Sequence, residues 1–300
     1  ARATDVKLSC DFFLSEDLDP FLKITGVRKV WVEIHPAATQ DGGDAFMERL
    51  RRPASKRDLR CIPVSGDASF LAGAVGMNDP PAAVALKGAE ASGFTGTESA
   101  GTLYALLRSL TRGRGDGPGL VLWGGISTPE AAAAFLCTGA RGIVFESIHW
   151  GTSLVRATPE SKERIARIRP EHTAVVGRGT GLPCRVFDRG NSAAATEILR
   201  LQRRPRRFYE AAFEKAVHPL DCSLSREDLA FLGPEVGFAG SFCRRFGEDT
   251  EEAVRGLVEE TAAFQDRATE ISNRARGGPA ARALGTSYPI IQGAMSWISD

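Results

Sequence analysis

Three short loops hold the residues whose types and spacing could do chemistry. The first, 87–96 (KGAEASGFTG), sets Lys87 and Glu90 among glycines and small side chains. Such a loop lets backbone amides approach an anion closely, and a helix pattern begins just beyond it. The second, Gly124-Gly125-Ile126-Ser127, lies between a strand pattern and a helix start and has the same phosphate-cradling logic. The third is Glu146-Ser147-Ile148-His149. A lone Gly-Gly turn means little, but Gly-rich turns on consecutive units followed by a third loop point to one phosphate-bearing cofactor. Barrels often form such a site at the loops after strands seven and eight.

The side chains in these loops have two readings each. Lys87 pairs either with a phosphate or acyl-thioester oxygen, or with Glu90. Glu90 is either a working carboxylate or a brace that accepts backbone N–H bonds within its loop. His149 and His35 are protic groups near strand ends, where a lone histidine is more often a hydrogen-bonded structural residue. Cys10 and Asp11 reach the same end only if the strand register permits. No Ser–His–Asp or Cys–His constellation assembles from the sequence.

The elements that must position these loops have a clear rhythm. Residues 6–13, 27–36, 59–66, 82–88, 119–125 and 141–147 are short, β-branched-rich runs bounded by Gly, Pro or Asp. Helix patterns lie between them at 44–52, 68–77, 97–110 and 129–137. In the third, Ala100, Leu103, Tyr104, Leu107 and Leu110 form one apolar stripe. Pro129 behind Ser127-Thr128 suits a first helical turn with a hydroxyl cap. Strand–helix alternation with nearly continuous apolar strands predicts a parallel sheet covered on both faces. Periodicity leaves two architectures open: a doubly wound open sheet, or a (β/α)8 barrel lacking two units.

After residue 150 the pattern changes. Residues 172–177 and 184–188 suggest a short hairpin, followed by a helix at 191–202 and a basic cluster of Arg203, Arg204, Arg206 and Arg207. That cluster is either a contact for an anionic ligand or acidic partner or, as is commoner, a solvated helix junction. Further helices are expected at 208–217, 226–232, 239–246 and 250–273, the last with a stripe of Val254, Leu257, Phe264, Ala268 and Ile271 that packs on its own domain. The composition of 274–283 (RARGGPAARA) suggests a linker, and 288–295 (YPIIQGAM) a new buried strand.

Composition bounds the rest. Of the 300 residues, 38 are basic and 37 acidic, for a formal net charge of +1. That balance argues against nucleic acid or a membrane surface as partner. No apolar run is long enough to span a bilayer. The six cysteines form no close pair, which argues against a zinc site and suits a reducing, cytoplasmic setting. The chain starts at Ala1 without a signal pattern and stops at Asp300 directly after an apolar run, so it reads as a piece of a longer polypeptide.

The loop KGAEASGFTG, the stretch LWGGISTPEAAAAFLCTGARGIVFES and the terminal YPIIQGAMSWISD resemble the nitronate monooxygenase and flavin-dependent enoyl reductase family. Members are FMN-binding (β/α)8 barrels whose opening strand carries a PIIQGPM-like motif. The resemblance implies α/β architecture in which the six runs are strands three to eight of a partial barrel over 1–150. A mostly helical connector with a short hairpin then covers 151–284, and 285–300 is the first strand of a following barrel. Such tandem barrels occur in large bacterial polyketide or polyunsaturated-fatty-acid-type synthases.

What the resemblance implies for function is an FMN-dependent, enoyl-reductase-like oxidoreductase. It would act on carrier-bound acyl chains beside neighbouring synthase domains of the same polypeptide. Two alternatives are a degenerate barrel that scaffolds those domains, and a nitronate monooxygenase. The cofactor would contact Ser92, Gly93, Gly124, Gly125, Ile126, Glu146 and Ser147. Glu90, Lys87 and His149 are the catalytic candidates, while Gln292, Gly293 and Met295 would serve the next barrel's cofactor. The sequence departs from the family at telling places. Phe94 stands at the loop histidine and moves no proton, Ser92-Gly93 replaces Gly-Gly, and Glu146-Ser147 replaces Gly-Thr. A desolvated carboxylate at Glu146 would repel a phosphate unless it turns away.

Overall fold

Each of the six β-branched runs contains a strand, and a glycine directly follows β3, β4 and β6: Gly66, Gly88 and Gly124. The computed structural model describes residues 5–9, 29–34, 60–113, 117–155, 158–178, 183–187, 193–201, 204 and 231–290. The strands are β1 (Asp5–Ser9), β2 (Lys29–Glu33), β3 (Arg60–Ser65), β4 (Ala83–Lys87), β6 (Gly119–Trp123) and β7 (Gly142–Val144). They pair in parallel and in chain order. A two-residue strand β5 (Gly93–Phe94) stands outside this sheet.

Both faces of the sheet are covered. On the outer face Val32, Ile34, Val84, Leu86, Leu120 and Leu122 pack against helices α1 (Ala68–Gly76), α2 (Ala100–Thr111) and α3 (Pro129–Cys137). On the inner face Ile62, Val64, Ala85, Val121 and Trp123 form a separate cluster with Trp31. Trp31 on β2 and Trp123 on β6 are three strands apart in the ladder, yet their rings meet edge to face with centroids 6.4 Å apart. In a flat sheet with ~4.8 Å between strands they would be separated by roughly 14 Å. The sheet therefore curls around its inner face, as a partial (β/α)8 barrel does.

Local capping follows the sequence closely. Asp67 caps α1 through Phe70 N, Ser99 caps α2 through Thr102 N, and Thr128 caps α3 with Pro129 in its first turn. Helix α2 starts three residues later than the 97–110 pattern suggests, because the Ser99 hydroxyl takes the cap position.

The second half contains the expected hairpin, β8 (Thr173–Val176) and β9 (Cys184–Phe187), paired antiparallel. β9 also pairs antiparallel with β5, so a three-stranded ribbon ties the hairpin to the first loop. Helices α4 (Pro159–Ala166), α5 (Ala193–Leu201), α6 (Ala239–Phe246), α7 (Thr250–Asp266), α8 (Ala268–Ala275) and α9 (Pro279–Ala283) complete the described chain.

Four expectations are corrected here. The helix at 250–273 breaks at Arg267 into α7 and α8. Its buried face is Ala253, Leu257 and Thr261, whose hydroxyl bonds back to Leu257 O, whereas Val254 is 51% exposed and Ile271 45%. Residues 274–283 are largely helical, since Pro279 at a first turn starts α9. Leu232 lies outside any helix and is fully buried. Of the run 288–295 expected as a buried strand, the described residues 288–290 form no strand and Ile290 is 75% exposed. The helices expected at 44–52 and 208–217, residues 226–230 of the one expected at 226–232, and Arg203, Arg206 and Arg207 lie outside the described residues.

Candidate functional site

The three loops of the sequence analysis meet at the carboxyl ends of β4, β6 and β7. Parallel pairing in register makes this so: Lys87 sits beside Trp123, and Trp123 beside Val144. Their following loops therefore emerge together.

Lys87, the last residue of β4, points into the barrel. It is 2% exposed and forms an ion pair with Glu33 at the end of β2, while its ammonium lies 5.6 Å from the Trp123 ring centroid. The partner is thus Glu33 and not Glu90, because side chains alternate along a strand and the inner faces of β2 and β4 converge as the sheet curls. Burial lowers the lysine's proton affinity, but Glu33 and Glu146 outweigh it and hold the ammonium above its ordinary value.

Glu90 braces its loop. Its carboxylate accepts the Ala100 amide at 3.2 Å at the start of α2, and its methylenes lie beneath Gly125. Arg185 on β9 clamps the same loop, donating from Nε to Ala89 O at 2.5 Å and from a terminal nitrogen to Thr173 Oγ1 at 2.8 Å. Gly93 takes a left-handed backbone (φ 69°) and enters the ribbon with Phe94. The phenylalanine at the family's histidine position is therefore fixed in a ladder with Cys184.

The Gly-Gly turn is conformationally required. Gly124 has φ 102°, and a Cβ there would lie 2.5 Å from the Ala91 nitrogen; Gly125 has φ 77°. Ile126 turns away from the loops into the outer core.

The last loop decides what the cradle holds. Glu146 does not turn away: its Oε2 accepts the Ser92 amide at 2.6 Å. The Glu146 and Ser147 amides donate in turn to Oε2 of Glu235, at 3.1 and 3.3 Å, and the Gly125 amide bonds the same carboxylate. Glu235 is 2% exposed and comes from the 3-10 turn Pro234–Phe238. Just before it, the Gly233 amide donates to Ser147 Oγ at 2.8 Å. Burial and the Glu146 charge push the Glu235 carboxyl up to about 7, against the pull of its three amide donors. His149 donates to the Glu146 main chain, and burial holds its proton affinity below the ordinary value.

The structure thus links Ser92 to Glu146, joins Gly125, Glu146 and Ser147 through Glu235, and sets Gly124 against Ala91, Gly125 against Glu90 and Gly93 near Lys87. Gln292, Gly293 and Met295, with His35, Cys10 and Asp11, lie outside the described residues. Sequence reasoning missed Glu33, Arg185, Gly233 and Glu235. The available signal for Glu235 was Gly233-Pro234-Glu235, a helix-start signature in a chain with no apolar period around it. Among the described residues no group of three His, Cys, Asp or Glu side chains could hold a metal, and no helix is long and apolar enough to cross a membrane.

Backbone amides converging from two adjacent strand ends suit an anion, and a cofactor phosphate would be one. As folded, however, the cradle does not fit a phosphate-bearing flavin. Glu235 takes up three of its amides, Glu146 takes a fourth, and a phosphate would stand against both carboxylates.

Solved structures share this architecture. FabK from Thermotoga maritima matches over 90% of this chain and 78% of its own, with TM-score 0.62 and 18% identity. The enoyl reductase domain of MlnA, from the macrolactin biosynthesis cluster of Bacillus amyloliquefaciens, matches over 89% and 82%, with TM-score 0.60 and 12% identity. The chain has the fold of these proteins. Nitroalkane oxidase from Streptomyces ansochromogenes aligns over 83% of this chain and 67% of its own, at 17% identity and TM-score 0.55. Because residues 1–150 are half of the chain, coverage near 90% takes in most of the helical segment as well. No protein-family model matches the sequence, and no curated protein does.

Proposed function

We propose that the chain is an enoyl-reductase-like oxidoreductase barrel belonging to a larger polyketide- or fatty-acid-type synthase, with carrier-bound acyl chains as its substrate class. In this reading 1–150 form the barrel, 151–284 the connector, and 285–300 open a following barrel. The observation that carries it is the barrel fold shared with FabK and with the MlnA enoyl reductase domain; in this chain the Glu146 and Ser147 amides at the end of β7 converge on Glu235. That is where barrels of this kind seat a cofactor phosphate. The fold shared with the MlnA enoyl reductase domain supports the same class and the synthase setting. In such enzymes the flavin carries the hydride, and the protein supplies binding, orientation and a proton source.

A second reading, a degenerate barrel that scaffolds its neighbours, is favoured by two observations. Glu235 fills the cradle, and Phe94 stands in the ribbon at the family's histidine position. A nitronate monooxygenase is disfavoured by the same phenylalanine. The test is flavin content after purification, followed by reduction of an enoyl thioester with NADH or NADPH. Bound flavin with turnover upholds the oxidoreductase. Colourless protein that stays inactive with added FMN leaves the scaffold.

A further inference from the structure

We propose that Glu235 is a built-in occupant of the anion cradle, a carboxylate from the chain's own connector that sits where a phosphate monoester would otherwise bind and excludes it. This rests on the barrel reading above for the nature of the cradle, but not on any flavin being bound.

Three independent features carry the assignment. First, Oε2 of Glu235 collects the amides of Glu146 and Ser147, and the same carboxyl is bonded by the Gly125 amide from the neighbouring loop, so the donors that parallel pairing brings together all turn to one carboxyl. Second, the other oxygen, Oε1, is buried with no hydrogen-bond partner among the described residues. A carboxylate placed only to cap a turn would turn that oxygen to solvent; this one is drawn fully inside. Third, the flanking chain is shaped to deliver it. Leu232 and Val236 on either side are buried with Trp150, Ile165 and Ile168. Gly233 passes so close to the first loop that a Cβ would lie 2.7 Å from Glu90 O and 3.3 Å from Ser147 Oγ. The segment 232–238 is therefore seated by apolar packing on one side and bare backbone on the other, with Glu235 directed into the cradle.

The nearby charged groups fit a sealed site. Glu146 acts on Glu235 and uses its own carboxylate on the Ser92 amide, while Lys87 is paired with Glu33. A dianionic phosphate arriving beside Glu146 and Glu235 would meet two carboxylates and no uncommitted cation from this set.

The experiment titrates the full chain, its Glu235→Ala variant and its Glu235→Gln variant with inorganic phosphate and, separately, with FMN. Phosphate is followed by thermal shift and FMN by fluorescence quenching. The expected result is no saturable binding to the wild type or to Glu235→Gln, which keeps the shape of the occupant, and at least a tenfold gain in phosphate affinity for Glu235→Ala. Phosphate binding by Glu235→Ala without FMN binding upholds the occupant and counts against the flavin reading. Saturable FMN binding to the wild type at low micromolar concentration overturns the occupant and leaves the flavin reading intact. Should Glu235→Ala fail to fold, hydrogen exchange on the wild type decides. The Gly125, Glu146 and Ser147 amides should be protected equally with and without 10 mM phosphate (a probe concentration on the order of common buffers). Protection that appears only when phosphate is added overturns the proposal.

Discussion

A carboxyl group held near neutrality inside a barrel should leave a signature in stability against pH. Glu235 is displaced from its ordinary 4.5 to about 7, by burial first and the Glu146 charge second. At about 1.36 kcal/mol per pH unit, that displacement corresponds to roughly 3 kcal/mol. The sign follows from proton counting. Between the two values the folded chain keeps the proton and the unfolded chain has lost it, so stability falls as pH rises from about 4.5 to about 7 and is level above. His149 works in the opposite direction: its folded value is depressed, so its contribution is present above its unfolded value and is lost on acidification. Urea unfolding at pH 5, 6, 7 and 8 should therefore be run on the wild type and on Glu235→Gln, which retains His149, Glu146 and Lys87. The stability difference between the two should move by about 2.5 kcal/mol between pH 5 and pH 8, in favour of the glutamine variant at high pH. A difference that is constant from pH 5 to pH 8 would refute the buried, charge-opposed placement of this carboxyl.

Other outcomes follow from the same geometry. Lys87→Met should cost about 2–4 kcal/mol in urea unfolding by removing the buried cation that pairs with half-buried Glu33, and the Lys87→Met/Glu33→Leu double variant should recover part of the loss. Gly233→Ala should destabilise by roughly 1–3 kcal/mol, since its Cβ would lie 2.7 Å from the Glu90 carbonyl oxygen. On α7, Leu257→Ala should cost about 2–4 kcal/mol while Val254→Ala stays within about 0.5, as their burial dictates. Equal effects at these two positions would restore the stripe read from the sequence.

The barrel strands were legible because each is a β-branched run closed by Gly, Pro or Asp, and burial on both faces leaves such runs continuously apolar. Helix α3 was legible to the residue, since Thr128 and Pro129 mark its start chemically as well as by period. The α7 face was misread because Val254 and Leu257 fit one stripe equally well on paper. Only contact with Ile148 and Phe242 selects Ala253 and Leu257. The loops of the candidate site were found from their glycines, but their contents were not. Glu33 reaches Lys87 through sheet curvature, and Glu235 reaches Glu146 across 89 residues of chain. Neither relation has a local period or spacing.

The ribbon and the Glu235 contact also bear on how this chain can be divided. In linear sequence the change of pattern near residue 150 invites a cut. In space the first loop is paired with β9, and the last two strand ends hand their amides to residue 235. A fragment ending at 150 would lose the acceptor for three interior amides, the ladder partner of Phe94 and the arginine that grips Ala89. Buried donors without acceptors cost about 1–3 kcal/mol each, on the scale of a domain's whole margin. For dissection or domain exchange, the unit must run at least through α7, because Ser153 N donates to Glu248 O, Leu154 N donates to Thr250 Oγ1, and Ile148 shares a core with Phe242, Ala253 and Leu257.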